Sequence, residues 1–177
     1  RIAAELPGVL DGLRRIAQRN GAIYYVVGNH DLHLNHFVAD WGAITMVPFL
    51  NLRSGDQRIR IEHGHLYDPF FVNFPAFYEV ATSFAGILLR ISPQLYQAWS
   101  RYERVRNRAL ALRASGDPIL ENEHPAFTTA ARELLRRGFD AVVFGHTHVP
   151  GTVQVDDGKI YCNPGSWMSY GHYIAIE

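Results

Sequence analysis

The sequence predicts an α/β fold in which strands lead into loops rich in histidine. A helical segment, residues 6–20, is followed at once by the continuous apolar run 23–27, which is typical of a strand buried on both faces. Five of the nine histidines lie in three short clusters, and each cluster directly follows an apolar run. Because such strands end at the same edge of a sheet, the clusters predict a single site there.

The elements of the first third follow from their periodicity. Leu6, Leu10 and Leu13 share one face of the first helix, which Asn20 and Gly21 end. Residues 34–40 predict a short helix. Residues 44–47 and 58–62 predict strands, with a hairpin turn at 54–56.

Residues 66–138 have a helical pattern. Large apolar side chains recur at steps of three and four between Phe70 and Ile91, and Pro75 is expected near a helix start. A second helix is predicted from Pro93 to Ala114, and a third opens at Pro125. The second helix carries five arginines: Arg101, Arg104, Arg106, Arg108 and Arg113. Strands are then predicted at residues 139–144, 152–155, 159–162 and 173–176.

Bulk composition excludes several classes of protein. A chain of 177 residues with 47% hydrophobic residues is long enough for one domain with a substantial core. The net charge is zero, so no nucleic acid partner is implied. Cys162 is the single cysteine, which rules out an internal disulfide. No apolar stretch is long enough to cross a bilayer.

The three histidine clusters contain the candidate functional residues. They read Gly-Asn-His-Asp at 28–31, His-Gly-His at 63–65 and Gly-His-Thr-His at 145–148. Imidazole, carboxamide and carboxylate groups gathered at one sheet edge are suited to a divalent-metal site. The glycines are expected to relieve crowding: Gly64 by allowing the backbone to approach metal or phosphate, and Gly145 at its strand end.

These clusters resemble the last three motifs of the calcineurin-like metallophosphoesterases, which carry D-x-H, G-D-x-x-D, G-N-H-D/E, a G/H-H motif and G-H-x-H in order. The first two motifs are absent, and the chain opens at Arg1 inside a helix-like segment. The chain is therefore expected to be N-terminally incomplete, with apolar surface exposed on residues 23–27. The resemblance implies a sandwich of two mixed β-sheets flanked by helices. It divides the chain into a core, residues 1–65 and 139–177, and a helical cap, residues 66–138.

The resemblance also implies roles for single residues. Asn29, His63 and His146 would bind one metal ion and His148 the other. His30 would protonate the leaving oxygen or stabilise transition-state charge, and Asp31 would orient His30. For His65, a metal contact, a substrate contact and a plain loop position stay open. The remaining histidines have no motif support and are expected at the surface or behind the site: His33, His36, His124 and His172.

The implied cofactor is a pair of divalent ions. Mn²⁺ is favoured, with Fe, Zn or Mg as alternatives, because these ligand types serve several metals. The remaining ligands are expected upstream of Arg1, so this chain alone is expected to bind metal poorly and to be inactive.

The segments around the last two clusters, HGHLYDP, GHTHVP and NPGSW, resemble the UDP-2,3-diacylglucosamine diphosphatase group. That resemblance implies a phosphate-containing small molecule or lipid as substrate, acyl chains or a membrane surface against the aromatic face of the cap, and a cytoplasmic protein peripheral to the inner membrane. His30 stands where the best-known branch has Arg, and HGH stands for HGD, so a related substrate is an alternative. A soluble phosphodiesterase or phosphatase and a non-catalytic binding module also stay open, as does a structural or phosphate-facing role for the turn 163–166.

Overall fold

The computed structural model describes residues 2–31, 44–92, 94–95, 98, 101–102, 105, 109, 120, 123–156, 158–166 and 172–176. The first helix, α1 (Ile2–Gln18), starts four residues before the predicted helix and includes Pro7. Asn20, with φ 59°, and Gly21 follow it, and the Gly21 N–H donates to the Ile16 carbonyl at 2.9 Å. The predicted stop at Asn20 and Gly21 is therefore confirmed.

The described strands form two sheets. A parallel pair consists of β1 (Ile23–Val26) and β2 (Ile44–Val47). A five-stranded mixed sheet has the order β3-β4-β5-β7-β6. Its strands are β3 (Phe49–Ser54), β4 (Gln57–Glu62), β5 (Ala141–Phe144), β6 (Gly151–Asp156) and β7 (Lys159–Asn163). The predicted mixed α/β architecture is confirmed, and the smaller sheet is parallel in its described strands.

The register of the larger sheet positions the histidine clusters. β4 pairs with β5 in parallel, with Glu62 opposite Phe144. His63 and Gly145 are the next residues of the two strands, so both clusters leave the same edge of the sheet. The antiparallel hairpins β3–β4 and β6–β7 close the two sides, and Gly55 and Gly158 adopt positive φ in their turns.

The main core lies between the sheet and α4 (Pro125–Arg136). Phe127 and Leu135 of this helix pack with Val142, Phe144 and Tyr161 of the sheet, and all five are fully buried. His124 caps the helix by accepting a hydrogen bond from the Ala126 N–H at 3.2 Å. This helix lies within the range 66–138 predicted as cap, yet it packs on the sheet. The division into core and cap stays a prediction.

The segment after β4 is helical, as predicted. A single 3-10 turn, His65–Tyr67, precedes α2 (Pro69–Asn73) and α3 (Pro75–Ile91). Pro75 opens α3, which confirms its expected place at a helix start. All described residues between 94 and 109 are helical. None of the described helices combines the length and hydropathy that crossing a bilayer requires.

Two predictions about strands are wrong. Tyr24 and Tyr25 of β1 are 46% and 41% exposed, so the prediction that this strand is buried on both faces is wrong. The separate prediction of exposed apolar surface on residues 23–27 is met at these two tyrosines. Residues 172–176 have no regular secondary structure, although Ile174 packs against the smaller apolar cluster of the sheet. The apolar pattern there reflects this packing rather than a strand. The predicted helix 34–40, His33, His36 and most of the arginine-rich helix lie outside the described residues.

Candidate metal centre

Three loops meet at the edge of the sheet where β4 and β5 end. The Gly-Asn-His-Asp loop follows β1 and lies directly against the second cluster, because a Cβ at Gly28 would be 2.6 Å from Cδ2 and 2.7 Å from Nε2 of His63. Only glycine fits this approach without displacing the imidazole. The absence of a side chain at Gly28 therefore lets the loop of the small sheet pack against His63 of the large sheet.

The imidazoles of the second and third clusters form one group. The ring of His63 lies 5.1 Å from that of His146 and 5.2 Å from that of His65, between centroids. The Nδ1 atoms of His63 and His65 are 3.3 Å apart. The structure thus brings together residues separated by more than eighty positions, as the strand-end pattern predicted. Their roles as ligands stay predictions.

Burial favours the neutral form of His63 and His148. It lowers the pKa of His63 to about 3, and the neighbouring His146 and His65 lower it further. Burial, followed by the proximity of His146 and His30, also lowers the pKa of His148. A neutral imidazole is the form that binds a metal, so no proton has to be removed first.

Asn29 supplies the observation that best fits a bound ion. Its side chain is buried, and its Oδ1 atom has no hydrogen-bond partner among the residues that the structure describes. A buried amide oxygen without a partner costs about 1–3 kcal/mol, unless a ligand satisfies it. An amide oxygen beside imidazole nitrogens is a donor set that suits several divalent metals.

The described part of the chain does not contain a complete set of metal ligands. No three His, Cys, Asp or Glu side chains in that part are arranged to hold an ion together. Asn29, His63, His146 and His148 would therefore hold a metal only as part of a larger set. The expectation that this chain alone binds metal poorly stays a prediction.

The predicted acid, His30, is exposed at this edge. Asp31 accepts a hydrogen bond from the Gly28 N–H at 2.9 Å. Burial, together with the contact to Asp31, raises the pKa of Tyr25 to about 12. The contacts of Asp31 therefore shape the loop around Gly28. Its predicted role in orienting His30 stays a prediction.

The two glycines beside the histidines differ in their roles. Gly64 has φ 95°, and a Cβ there would lie 3.1 Å from Cβ of Phe144, so the position requires glycine. Among the described residues, a Cβ at Gly145 would meet only the His63 carbonyl oxygen at 3.6 Å, which is an ordinary contact. The expectation that Gly145 relieves crowding is wrong, and the crowding lies at Gly28 instead.

The Gly-His-Thr-His loop has a strained backbone and is held by hydrogen bonds to Glu123 and Asn163. His146 and His148 have φ of 63° and 58°, a conformation that costs non-glycine residues of order 1 kcal/mol or more. Thr147, between them, donates a hydrogen bond to the buried Glu123 at 2.5 Å. The Asn163 Nδ2 atom lies 3.1 Å from Glu123 Oε1, 2.8 Å from Thr147 Oγ1 and 3.1 Å from the Gly145 carbonyl oxygen.

This network assigns a structural role to the first residue of the turn 163–166. Asn163 anchors the histidine loop, and its Oδ1 accepts from the Gly165 N–H at 2.9 Å. Glu123 was not singled out by the sequence, since a lone Glu before a helix carries no motif. Asp68 was missed as well, although its carboxylate lies 2.9 Å from Nε2 of His146.

Comparison with known proteins identifies the family. The model of the calcineurin-like phosphoesterases matches residues 7–150, and the chain belongs to this family. No curated protein matches the sequence. Family membership indicates a metal-dependent phosphoester hydrolase, in a family that generally uses a dinuclear metal site. It does not identify the UDP-2,3-diacylglucosamine group.

Proposed function

We propose that this phosphoesterase cleaves a phosphoester or pyrophosphate bond in a nucleotide–lipid conjugate, such as UDP-2,3-diacylglucosamine, at the surface of the inner membrane. The observation that carries the proposal is a continuous run of aromatic rings between the imidazole group and an exposed apolar face. Phe71 packs edge-on against His65 at 5.1 Å and against Tyr78 at 5.1 Å. Phe70 lies 5.8 Å from Tyr78 and 5.8 Å from Phe77.

This run ends in apolar side chains that face solvent. Phe74, Phe77 and Phe84 are 59%, 62% and 64% exposed, and Val80 is 65% exposed. Large apolar groups clustered on a surface mark a binding site for apolar ligand, membrane or protein. Because the face adjoins the imidazoles, it would hold the apolar tail of a molecule whose phosphate lies at the metal centre.

The residues of the site would have different chemical roles. Asn29, His63, His146 and His148 would hold two divalent ions, with Mn²⁺ as the favoured metal. When bound, such ions neutralise charge on phosphate oxygens and lower the pKa of water. His30, exposed at the same edge, would donate a proton to the leaving oxygen. Arg101, exposed on the helical segment, is the described member of the arginine set proposed to meet anionic headgroups.

The test compares a diacylated substrate with a small one. In the intact protein, Phe77→Ser should raise KM for UDP-2,3-diacylglucosamine by roughly tenfold, which corresponds to a lost contact of about 1.4 kcal/mol. Hydrolysis of a water-soluble aryl phosphodiester should not change, because that substrate lacks acyl chains.

Val9→Ser, at an exposed apolar residue of α1, is the matched control and should leave both activities unchanged. Equal losses on both substrates for Phe77→Ser would show that the aromatic face supports the fold rather than the lipid. Activity on the aryl phosphodiester alone would favour the soluble phosphodiesterase, and absence of all activity would favour the binding module.

A further inference from the structure

Asp68 links the second and third histidine clusters. It lies three residues after His65, and its Oδ2 atom is 2.9 Å from Nε2 of His146. The two side chains are 23% and 7% exposed, so the contact is largely shielded from water. The other carboxylate oxygen, Oδ1, accepts from the Phe70 N–H at 2.8 Å and caps α2. Asp68 is therefore held in place by the backbone of the following helix.

The contact with Asp68 determines which ring nitrogen of His146 carries a proton. An ionised carboxylate only accepts hydrogen bonds, so Nε2 of His146 must be the donor. In a neutral imidazole that has its proton on Nε2, Nδ1 is the nitrogen that carries the lone pair.

The ring of His146 is also held by its neighbours. Tyr78 lies 6.2 Å away with an interplanar angle of 27°, and Phe127 lies 6.0 Å away at 30°. These near-parallel rings restrict the plane of the imidazole, and the bond to Asp68 restricts its rotation within that plane. Both restrictions act on a residue whose backbone is in the left-handed region.

We propose that Asp68 is a positioning residue that holds His146 with its proton on Nε2, so that Nδ1 is the nitrogen presented to metal. This inference rests on the proposed metal-binding role of His146. Carboxylate–histidine–metal arrangements of this kind orient the ring and raise its basicity, and their loss typically lowers metal affinity about 10–100-fold. Asp68 would also connect the metal centre to α2 and, through it, to the aromatic face.

The experiment uses two variants that keep a cap for α2. Asp68→Asn preserves the volume, the cap and a neutral acceptor, whereas Asp68→Ser keeps a cap but is too short to reach His146. Asp56→Asn, at a fully exposed carboxylate, controls for the lost charge. Circular dichroism and thermal melting establish that each variant is folded.

The first measurement is nitrogen–proton NMR of the imidazoles in the metal-free intact protein, at about pH 8.5 where imidazoles are ordinarily neutral. The unchanged protein should show a slowly exchanging proton on Nε2 of His146. Asp68→Ser should lose that protected proton and Asp68→Asn should retain it with faster exchange, because a neutral acceptor makes a weaker hydrogen bond. A proton on Nδ1 in the unchanged protein would overturn the proposal.

The second measurement is titration with Mn²⁺ alone. Affinity should fall about 10–100-fold in Asp68→Ser and less in Asp68→Asn, and should not change in Asp56→Asn. Unchanged affinity in a variant that has lost the protected proton would overturn the positioning role. If the unchanged protein binds no Mn²⁺ and hydrolyses no phosphoester, the proposed function fails and the metal role of Asp68 with it, whereas the NMR result reports on the tautomer separately.

Discussion

At the scale of single residues, Gly28 packs so closely against the ring of His63 that no side chain fits between them. An added methyl at this position would lie 2.6 Å from Cδ2, and the partly buried ring would have to move. Displacing a ligand by about 1 Å can lower turnover by roughly 10²-fold. We therefore expect Gly28→Ala to weaken Mn²⁺ binding and to lower turnover by about that factor, as measured by titration and steady-state kinetics.

Gly12→Ala is the matched control for this substitution. No atom of the described residues lies within 4 Å of a Cβ built at Gly12, which is inside α1. Alanine there should stabilise the helix by about 0.5–1 kcal/mol and leave turnover unchanged. If the two variants had the same kinetics, the contact between Gly28 and His63 would not position the ligand.

His30 and His63 should differ in what their loss removes. His30 is exposed at the sheet edge, whereas His63 is enclosed by Gly28, His65 and His146. In the intact protein, His30→Ala should keep the metal and lower turnover by roughly 10²–10⁴-fold, the usual contribution of an acid–base group. His63→Ala should lose metal. Metal analysis of the purified variants separates the two, and metal loss in His30→Ala would assign it as a ligand.

The sequence predicted the histidines of the site better than the groups that hold them. The three clusters were recognisable because each follows an apolar run, and the parallel pairing of β4 with β5 brings two of them to one edge. Asp68 and Glu123 were not recognisable. Their partners lie 78 and 24 positions away, and a single carboxylate has no local pattern that indicates such a contact.

At the scale of elements, the hydrogen-bond network that holds the Gly-His-Thr-His loop contains the buried carboxylate of Glu123. Burial makes ionisation of this carboxylate unfavourable. Burial raises the pKa of Glu123, although the hydrogen bonds from Thr147 and Asn163 lower it in part. A carboxylate whose pKa is raised in the folded state favours folding in its protonated form. Its contribution is fully present below the unfolded pKa of 4.5 and is lost as pH rises through the folded pKa.

Replacing Glu123 by Gln should remove this dependence on pH. The free energy of unfolding of the unchanged protein, relative to that of Glu123→Gln, should fall as pH rises above 4.5. The fall is about 1.4 kcal/mol for each pKa unit of the shift. Denaturant unfolding at a series of pH values measures it, with Glu133→Gln on the exposed face of α4 as control. A constant difference across the pH range would mean that Glu123 has an ordinary pKa in the fold.

The elements themselves were predictable where the pattern was strong. The strands β2, β4 and β5, the turn at Gly55 and the start of α3 at Pro75 follow from alternation, apolar runs and proline. β1 was predicted to be more buried than it is, because an apolar run does not indicate how many layers cover it. The packing of α4 on the sheet depends on contacts with distant strands, which periodicity alone does not specify.

At the scale of the whole molecule, the site joins the two described sheets. The loop containing Asn29 follows β1 of the small sheet, while His63 and His146 follow β4 and β5 of the large one. An ion held by all three would bind the folded state and not the unfolded chain, so it should stabilise the fold as a unit. In the sequence, Asn29 and His146 are more than a hundred positions apart, so the unfolded chain does not bring them together.

Titrating the intact protein with Mn²⁺ should therefore raise its melting temperature. At a free concentration about 100 times Kd the added stability is about 2.7 kcal/mol, which for a domain of this size corresponds to roughly 5–10 °C. A chelator should reverse the shift, and His63→Ala should abolish it, because that variant removes the side chain of the large sheet that packs against the loop of the small sheet. A shift of equal size in His63→Ala would mean that Mn²⁺ binds elsewhere, and no shift at saturation would mean that the three loops hold no ion.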